Sequence, residues 1–223
     1  MRLPPHPEET SPRKSALELI AFRLANYETP LWSVENFPPG RYNESGAGFA
    51  QYLSLHPLTP WAELLRNEDR RTRERALLMR YPLWAVRVEL EDRPFELTFD
   101  NPGAFDLTAE DLVADDHGPC RALAQAFRDG GPRAFRAPSA ALPGTTNLVV
   151  LEPHVLAPWN QAPIDDMDWP GSLTSQDGRC PEGLWDLVHY RETGTTHAAL
   201  EAWRNGEDFI FEEPEVSTAS LAA

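Results

Sequence analysis

The chain has 223 residues, with 20 Lys and Arg against 35 Asp and Glu, a formal net charge of −15 at pH 7, 41% hydrophobic residues and 25% charged residues. That length and composition predict one globular domain with a sizeable core and exclude a wholly disordered chain. The charge excludes nucleic acid as the main partner, because such binding draws its affinity from Lys and Arg neutralising phosphates.

The same field repels an anionic dinucleotide at long range, so a site for one must carry its own arginines. Arg23, Arg41, Arg87 and Arg136 are the candidates. An acidic surface also suits a basic protein partner. Cys120 and Cys180 have neither C-x-x-C spacing nor a disulfide-rich setting and are assigned no chemistry. The N-terminus lacks the apolar stretch of a signal peptide, and no segment approaches the ~20 apolar residues of a membrane helix, so the expected location is the cytoplasm.

In chain order, residues 1–14 are Pro-rich and without periodicity and are expected to form a flexible arm. Residues 16–25 fit neither a helix nor a half-buried strand cleanly. Pro38-Pro39-Gly40 forbids regular structure ahead of Arg41, and 43–48 is a Ser/Gly/Asn loop, which predicts a short, exposed, rigidly introduced segment for Arg41 to Asn43. Residues 49–55 read as a strand. Thr59-Pro60 reads as a helix cap followed by proline at the first helical position, which places Glu63 in the first turn of a helix.

Residues 82–90 alternate in polarity with the period of a strand, and 95–99 are expected to be its hairpin partner. Thr108 to Asp111 opens a short helix, and 120–128 forms an amphipathic helix stopped by Gly130-Gly131. Strands over 134–138 and 147–151 then flank a turn at Ser139. Beyond Trp159 the composition shifts to Asp, Pro and Gly, with a strand expected over 184–190, a short helix over 197–203 and a last strand over 209–211. The expected organisation is an arm at 1–14, a core at 15–159 and a C-terminal extension packed on it at 160–223.

Taken singly, the polar residues of these segments have ordinary roles. An Arg after Pro-Pro-Gly solvates a loop, a Glu near a helix start complements its dipole, and a Ser after Pro shapes a turn. His56 before Pro57 reads as structural rather than as a base. Asp165, Asp166 and Asp168 lack the spaced ligands of a calcium loop, and glycine-rich phosphate loops are absent. The order of the motifs is what carries information. Gly40-Arg41-Tyr42-Asn43, Tyr52, Glu63 and Pro138-Ser139-Ala140 ahead of Asn147-Leu148-Val149 together resemble the RES family, named for its Arg, Glu and Ser, with Tyr42 where the family usually has Trp.

The resemblance favours a strand carrying Arg23. It implies a mixed α/β (α+β) domain of small, mostly antiparallel sheets around a cleft with flanking helices, similar to ADP-ribosyltransferase-like folds. It also implies an enzyme that consumes NAD as substrate without a metal, cleaving the nicotinamide–ribose bond with water or phosphate, as the toxin paired with an Xre-type antitoxin. Arg41, Tyr52, Glu63 and Ser139 are then the expected catalytic residues, and Arg23, Arg41, Tyr42, Asn43, Tyr52 and Ser139 the expected NAD contacts. Such chemistry needs positioning and electrostatics: a carboxylate for the charge growing on ribose, for which Glu63 fits, and a guanidinium fork for pyrophosphate, for which Arg41 fits. The region after Trp159 is expected to support folding or partner binding and to supply no catalytic group. Two rivals are ADP-ribosyl transfer to a protein or small molecule, and a non-catalytic binding or regulatory module of the same fold.

Overall fold

A computed structural model describes residues 17–25, 39–67, 78–90, 92–151 and 180–213. Its frame is a six-stranded sheet built from β1 (Leu17–Leu24), β2 (Ala50–Ser54), β3 (Leu83–Leu90), β4 (Phe95–Glu96), β5 (Ala134–Pro138) and β6 (Thr146–Leu151), in the order β3-β1-β2-β6-β5-β4. Neighbours are antiparallel except β4 and β5, which run parallel. The expected mixed, mostly antiparallel α/β fold is what forms. The small sheets are fused, because β2 pairs with β6 along its whole length from Ala50↔Leu151 to Ser54↔Asn147.

Three helices are placed by their apolar spacing. In α1 (Thr59–Asn67), Trp61, Ala62 and Leu65 continue the stripe begun by Leu58 and bury it against Ala141, Leu142, Leu184 and Val188. In α2 (Gly118–Gly130), Cys120, Leu123, Ala124 and Phe127 recur at helical spacing. They pack on Tyr42, Phe135, Val149 and Leu151 from the sheet side. Burying such stripes, at about 1.5–3 kcal/mol per large side chain, holds the helices to the sheet. The third, α3 (Ala198–Arg204), is capped by His197, whose Nδ1 accepts from Leu200 N.

The strands expected over 16–25, 49–55, 82–90, 134–138 and 147–151 form, as do the helices around 59, 120–128 and 197–203. Several expectations are corrected. Phe95 and Glu96 pair in parallel with Phe135 and Arg136 at the opposite edge of the sheet, so 95–99 is no hairpin partner of β3. Residues 182–187 form a 3₁₀ helix rather than a strand, burying Leu184 on α1, and 209–211 run as irregular chain. Arg41 to Asn43 are not an exposed segment, since Tyr42 and Asn43 are buried. Glu63 opens the second turn of α1 rather than closing the first, because the helix starts at Thr59, one residue earlier than expected, with the Thr59 hydroxyl turned to Thr145 Oγ1. The Asp165–Asp168 cluster and the arm at 1–14 lie outside the described residues.

Candidate active site

Two structures meet at the β2–β6 end of the sheet: a turn that presents Arg41, and a carboxylate on α1 held against the turn that links β5 to β6. In the first, Asn43 Oδ1 accepts from Gly40 N (3.1 Å) and from the Tyr52 hydroxyl (2.8 Å). The Tyr52 hydroxyl in turn accepts from Tyr42 N (2.7 Å). Gly40 also donates to the Asn43 carbonyl at 3.0 Å. A Cβ at position 40 would stand 2.6 Å from Asn43 Oδ1 and 2.7 Å from the Tyr52 hydroxyl, so only glycine fits. The knot explains the spacing of the motif, since β2 brings Tyr52 back beneath the turn that begins it.

Tyr42 is a core residue rather than a face for a ligand. Its ring meets Phe135 edge-on at 4.9 Å and lies beside Tyr52 at 6.4 Å. Burial raises the phenol pKa of both tyrosines, which leaves them protonated and unsuited to act as bases. Arg41 is held by carbonyls, donating to Ala114 O at 2.8 Å and Asp111 O at 3.4 Å. Both terminal nitrogens of its fork are thereby tied to the backbone, and each keeps a second N–H.

In the second structure, Glu63 Oε1 accepts from Ser139 Oγ (2.9 Å) and from Asn147 Nδ2 (2.8 Å). Both hydrogen bonds that the carboxylate takes from described residues fall on this one oxygen. Asn147 is oriented by Ser54, whose hydroxyl donates to Asn147 Oδ1 at 2.8 Å, across the β2–β6 register pair Ser54↔Asn147. Ser139 Oγ accepts from Ala141 N and Leu142 N, and its backbone N donates to Thr145 O. The hydroxyl proton is therefore committed to Glu63, and Ser139, fully buried, is placed as a brace for the carboxylate.

Arg66, one turn beyond Glu63 on α1, is 1% exposed. It donates to Val113 O (3.1 Å), to Asp115 Oδ1 (2.7 Å) and to His189 O. Burial, with Arg41 nearby, lowers its pKa to about 10, still cationic at neutral pH. His117 receives Arg191 at 3.2 Å, and burial with the surrounding Arg41, Arg191, Arg121 and Arg66 pushes its pKa down to about 4. Arg121 and Arg128 buttress the Arg41 turn through Gly40 O, Tyr42 O and Phe49 O. Arg41 thus belongs to a cationic cluster with Arg66, Arg121 and Arg191, but its other members are not the arginines the sequence pointed to. Arg87 pairs with Glu18 and Arg136 with Glu96, both at 3.0 Å along the sheet. Arg23 lies one residue beyond the Phe22↔Ser54 pair, so strand alternation turns it to the face opposite Ser54 and Asn147.

Of the expected site residues, the fold brings Glu63 and Ser139 into contact and sets Arg41, Asn43 and Tyr52 in one knot. It separates Arg23 from them and buries Tyr42. Asn147 and Arg66 were missed as site residues. Asn147 stood in the motif that follows Ser139, and Arg66 stood three residues after Glu63 on an evident helix, the spacing that puts two side chains on one face. His56 pairs with Glu213 at 3.0 Å. Cys120 and Cys180 are buried thiols. Among the described residues, no group of His, Cys, Asp and Glu is arranged to hold a metal ion, and no helix is long and apolar enough to cross a membrane.

Fold and site together define a mixed α/β domain carrying a braced carboxylate beside a fixed arginine. The RES domain family matches residues 20–174, and the chain belongs to that family. A probable NAD(+) phosphorylase of Mycobacterium tuberculosis is 34% identical over 113 residues, covering 50% of this chain and 53% of that protein. The chain thus spans about half the length of the curated relative it matches. The crystal structure of the M. tuberculosis MbcT–MbcA toxin–antitoxin complex shares the fold, with a TM-score of 0.51, 23% identity, and coverage of 60% of this chain and 74% of that one.

Proposed function

We propose that the protein consumes NAD, cleaving the bond between nicotinamide and ribose. The observation that carries the reading is the Glu63 carboxylate, fixed through one oxygen by Ser139 and Asn147. As the C–N bond breaks, its electron pair leaves with nicotinamide and positive charge develops on the ribose ring. A preorganised carboxylate stabilises that charge without having to reorient. Water or phosphate then bonds to the anomeric carbon, giving ADP-ribose and a proton or ADP-ribose 1″-phosphate. The membership in the RES family and the similarity to a probable NAD(+) phosphorylase support phosphate as one such nucleophile.

In this reading Arg41 takes the pyrophosphate with the part of its fork not held by Asp111 and Ala114, Ser139 and Asn147 hold Glu63, and Tyr52 with Asn43 fixes the turn that aims Arg41. We place the protein in the cytoplasm as the toxin of a toxin–antitoxin pair, with an antitoxin protein as partner, by analogy with the MbcT–MbcA complex that shares its fold. Proton nuclear magnetic resonance of NAD incubated with the purified protein tests the activity. Free nicotinamide should accumulate, with ADP-ribose 1″-phosphate as co-product when phosphate is present. NAD left intact in both buffers would refute it. Label transferred from NAD to a protein would favour ADP-ribosyl transfer instead.

A further inference from the structure

The segment 180–213 lies almost wholly outside the chemistry described above and beyond the part of the chain that the family matches, yet it is bonded to both carriers of that chemistry. His197 is 2% exposed. Its Nδ1 accepts from Leu200 N at 3.4 Å and its Nε2 contacts the Ser139 carbonyl oxygen at 3.0 Å. An acceptor at Nδ1 and a carbonyl at Nε2 require the neutral tautomer with the proton on Nε2. Eight residues earlier, His189 N donates to Ala141 O at 2.8 Å while the His189 carbonyl accepts from Arg66 of α1. The rings of His189 and His197 meet edge-on at 5.2 Å.

We propose that His197 is a positioning residue which, with the His189 backbone, clips the Ser139 turn to the helix that carries Glu63. The proposal rests on the reading of Glu63 as the group that meets the substrate. The Ser139 amide is held by Thr145, its hydroxyl by Glu63 and two backbone amides, and its carbonyl by His197. The carbonyl bond is the one that fixes the tilt of the peptide plane following Ser139. Without it that turn rocks, and the hydroxyl that fixes Glu63 moves with it. Small displacements of a reacting group cost far more than the bond that prevents them.

Two substitutions separate positioning from mere folding, since the two ring nitrogens have different tasks. His197→Asn keeps an acceptor where Nδ1 caps α3 and lacks the reach to Ser139. His197→Gln puts an amide N–H near the place of Nε2 and caps poorly. For nicotinamide release, His197→Asn should lower kcat about 10-fold with KM little changed, and amide hydrogen exchange over 139–145 should quicken. His197→Gln should stay within a few-fold of wild type in kcat, with slow exchange over 139–145 and a lower Tm. His197→Ser, a capping residue that also falls short of Ser139, replaces His197→Asn if the latter does not fold.

Wild-type kcat and slow exchange in His197→Asn would overturn the proposal. So would equal losses of kcat in both variants that track Tm. If the wild-type protein leaves NAD intact, the functional reading fails, and the clip is judged on exchange over 139–145 alone. Faster exchange in His197→Asn but not in His197→Gln supports it, and any other pattern refutes it.

Discussion

The Arg41 turn and the Glu63 cluster are built from the same kinds of polar residue and differ in what they leave unspent. In the turn, the Tyr52 hydroxyl both accepts and donates, and Asn43 Oδ1 takes two donors, so these two side-chain oxygens are satisfied within the turn. In the cluster, Ser54, Asn147 and Ser139 all direct their bonding toward a carboxylate whose held oxygen is Oε1. A saturated network fixes a shape, whereas a carboxylate gripped on one side keeps acceptor capacity for a ligand. Under the proposed function, the motif residues divide into those that aim and those that act.

The substitution that should separate the regions most sharply is Glu63→Gln. It keeps the shape and removes the charge, and should lower kcat about 10²- to 10³-fold, in the range of losing one preorganised electrostatic group, while circular dichroism stays unchanged. Arg41→Ala should raise KM about 10- to 150-fold with a smaller change in kcat, corresponding to ~1.5–3 kcal/mol for a charge-assisted contact made in ground and transition states alike. Steady-state kinetics distinguishes the two patterns. Gly40→Ala acts on the aiming knot, where a Cβ would meet Asn43 and Tyr52 at 2.6 and 2.7 Å. It should cost about 1–3 kcal/mol in urea unfolding. Tyr52→Phe leaves Tyr42 N without its acceptor, for a loss of about 1–2 kcal/mol, and should change kcat by only a few-fold.

A smaller effect comes with acid. Burial holds the His197 pKa at about 4, with His189, Arg66 and Arg41 adding to the depression and the Ser139 carbonyl opposing it. An unfolded histidine titrates near ~6.5, so between these values the unfolded chain binds a proton that the native one refuses. Stability from this group is complete above about pH 6.5 and falls as pH drops toward 4, by at most a few kcal/mol. Unfolding midpoints at pH 7 and pH 5 should differ in wild type, and the difference should shrink in His197→Asn.

The strand at 82–90 could be read directly because period-2 alternation survives whatever the strand pairs with, whereas 16–25 has no clean period and was favoured as a strand by the family resemblance. Pairing itself could not be read. Phe95 and Glu96 form a two-residue strand, too short to carry a pattern that distinguishes β3 from β5 as neighbour. Residues 184–190 showed apolar content without a period, and Leu184 is buried by a 3₁₀ turn instead. The site was legible to the extent that motif order reflects a shared fold: Glu63 and Ser139 touch although 76 residues apart. Arg66 was illegible because an arginine on an amphipathic helix is ordinarily solvated, and the carbonyls of Val113 and His189 together with the Asp115 carboxylate make its burial tolerable. His189 and His197 were equally unreadable as neighbours of Ser139, since nothing in their spacing shows which turn they fold against.

The division between aiming and acting is tested most directly by single-turnover release of nicotinamide from NAD, with Tyr52→Phe and Glu63→Gln compared under saturating protein. Tyr52→Phe should stay within a few-fold of wild type, and Glu63→Gln should be slower by about two orders of magnitude or more. Release by Glu63→Gln at the wild-type rate, or a larger loss in Tyr52→Phe than in Glu63→Gln, would contradict the account.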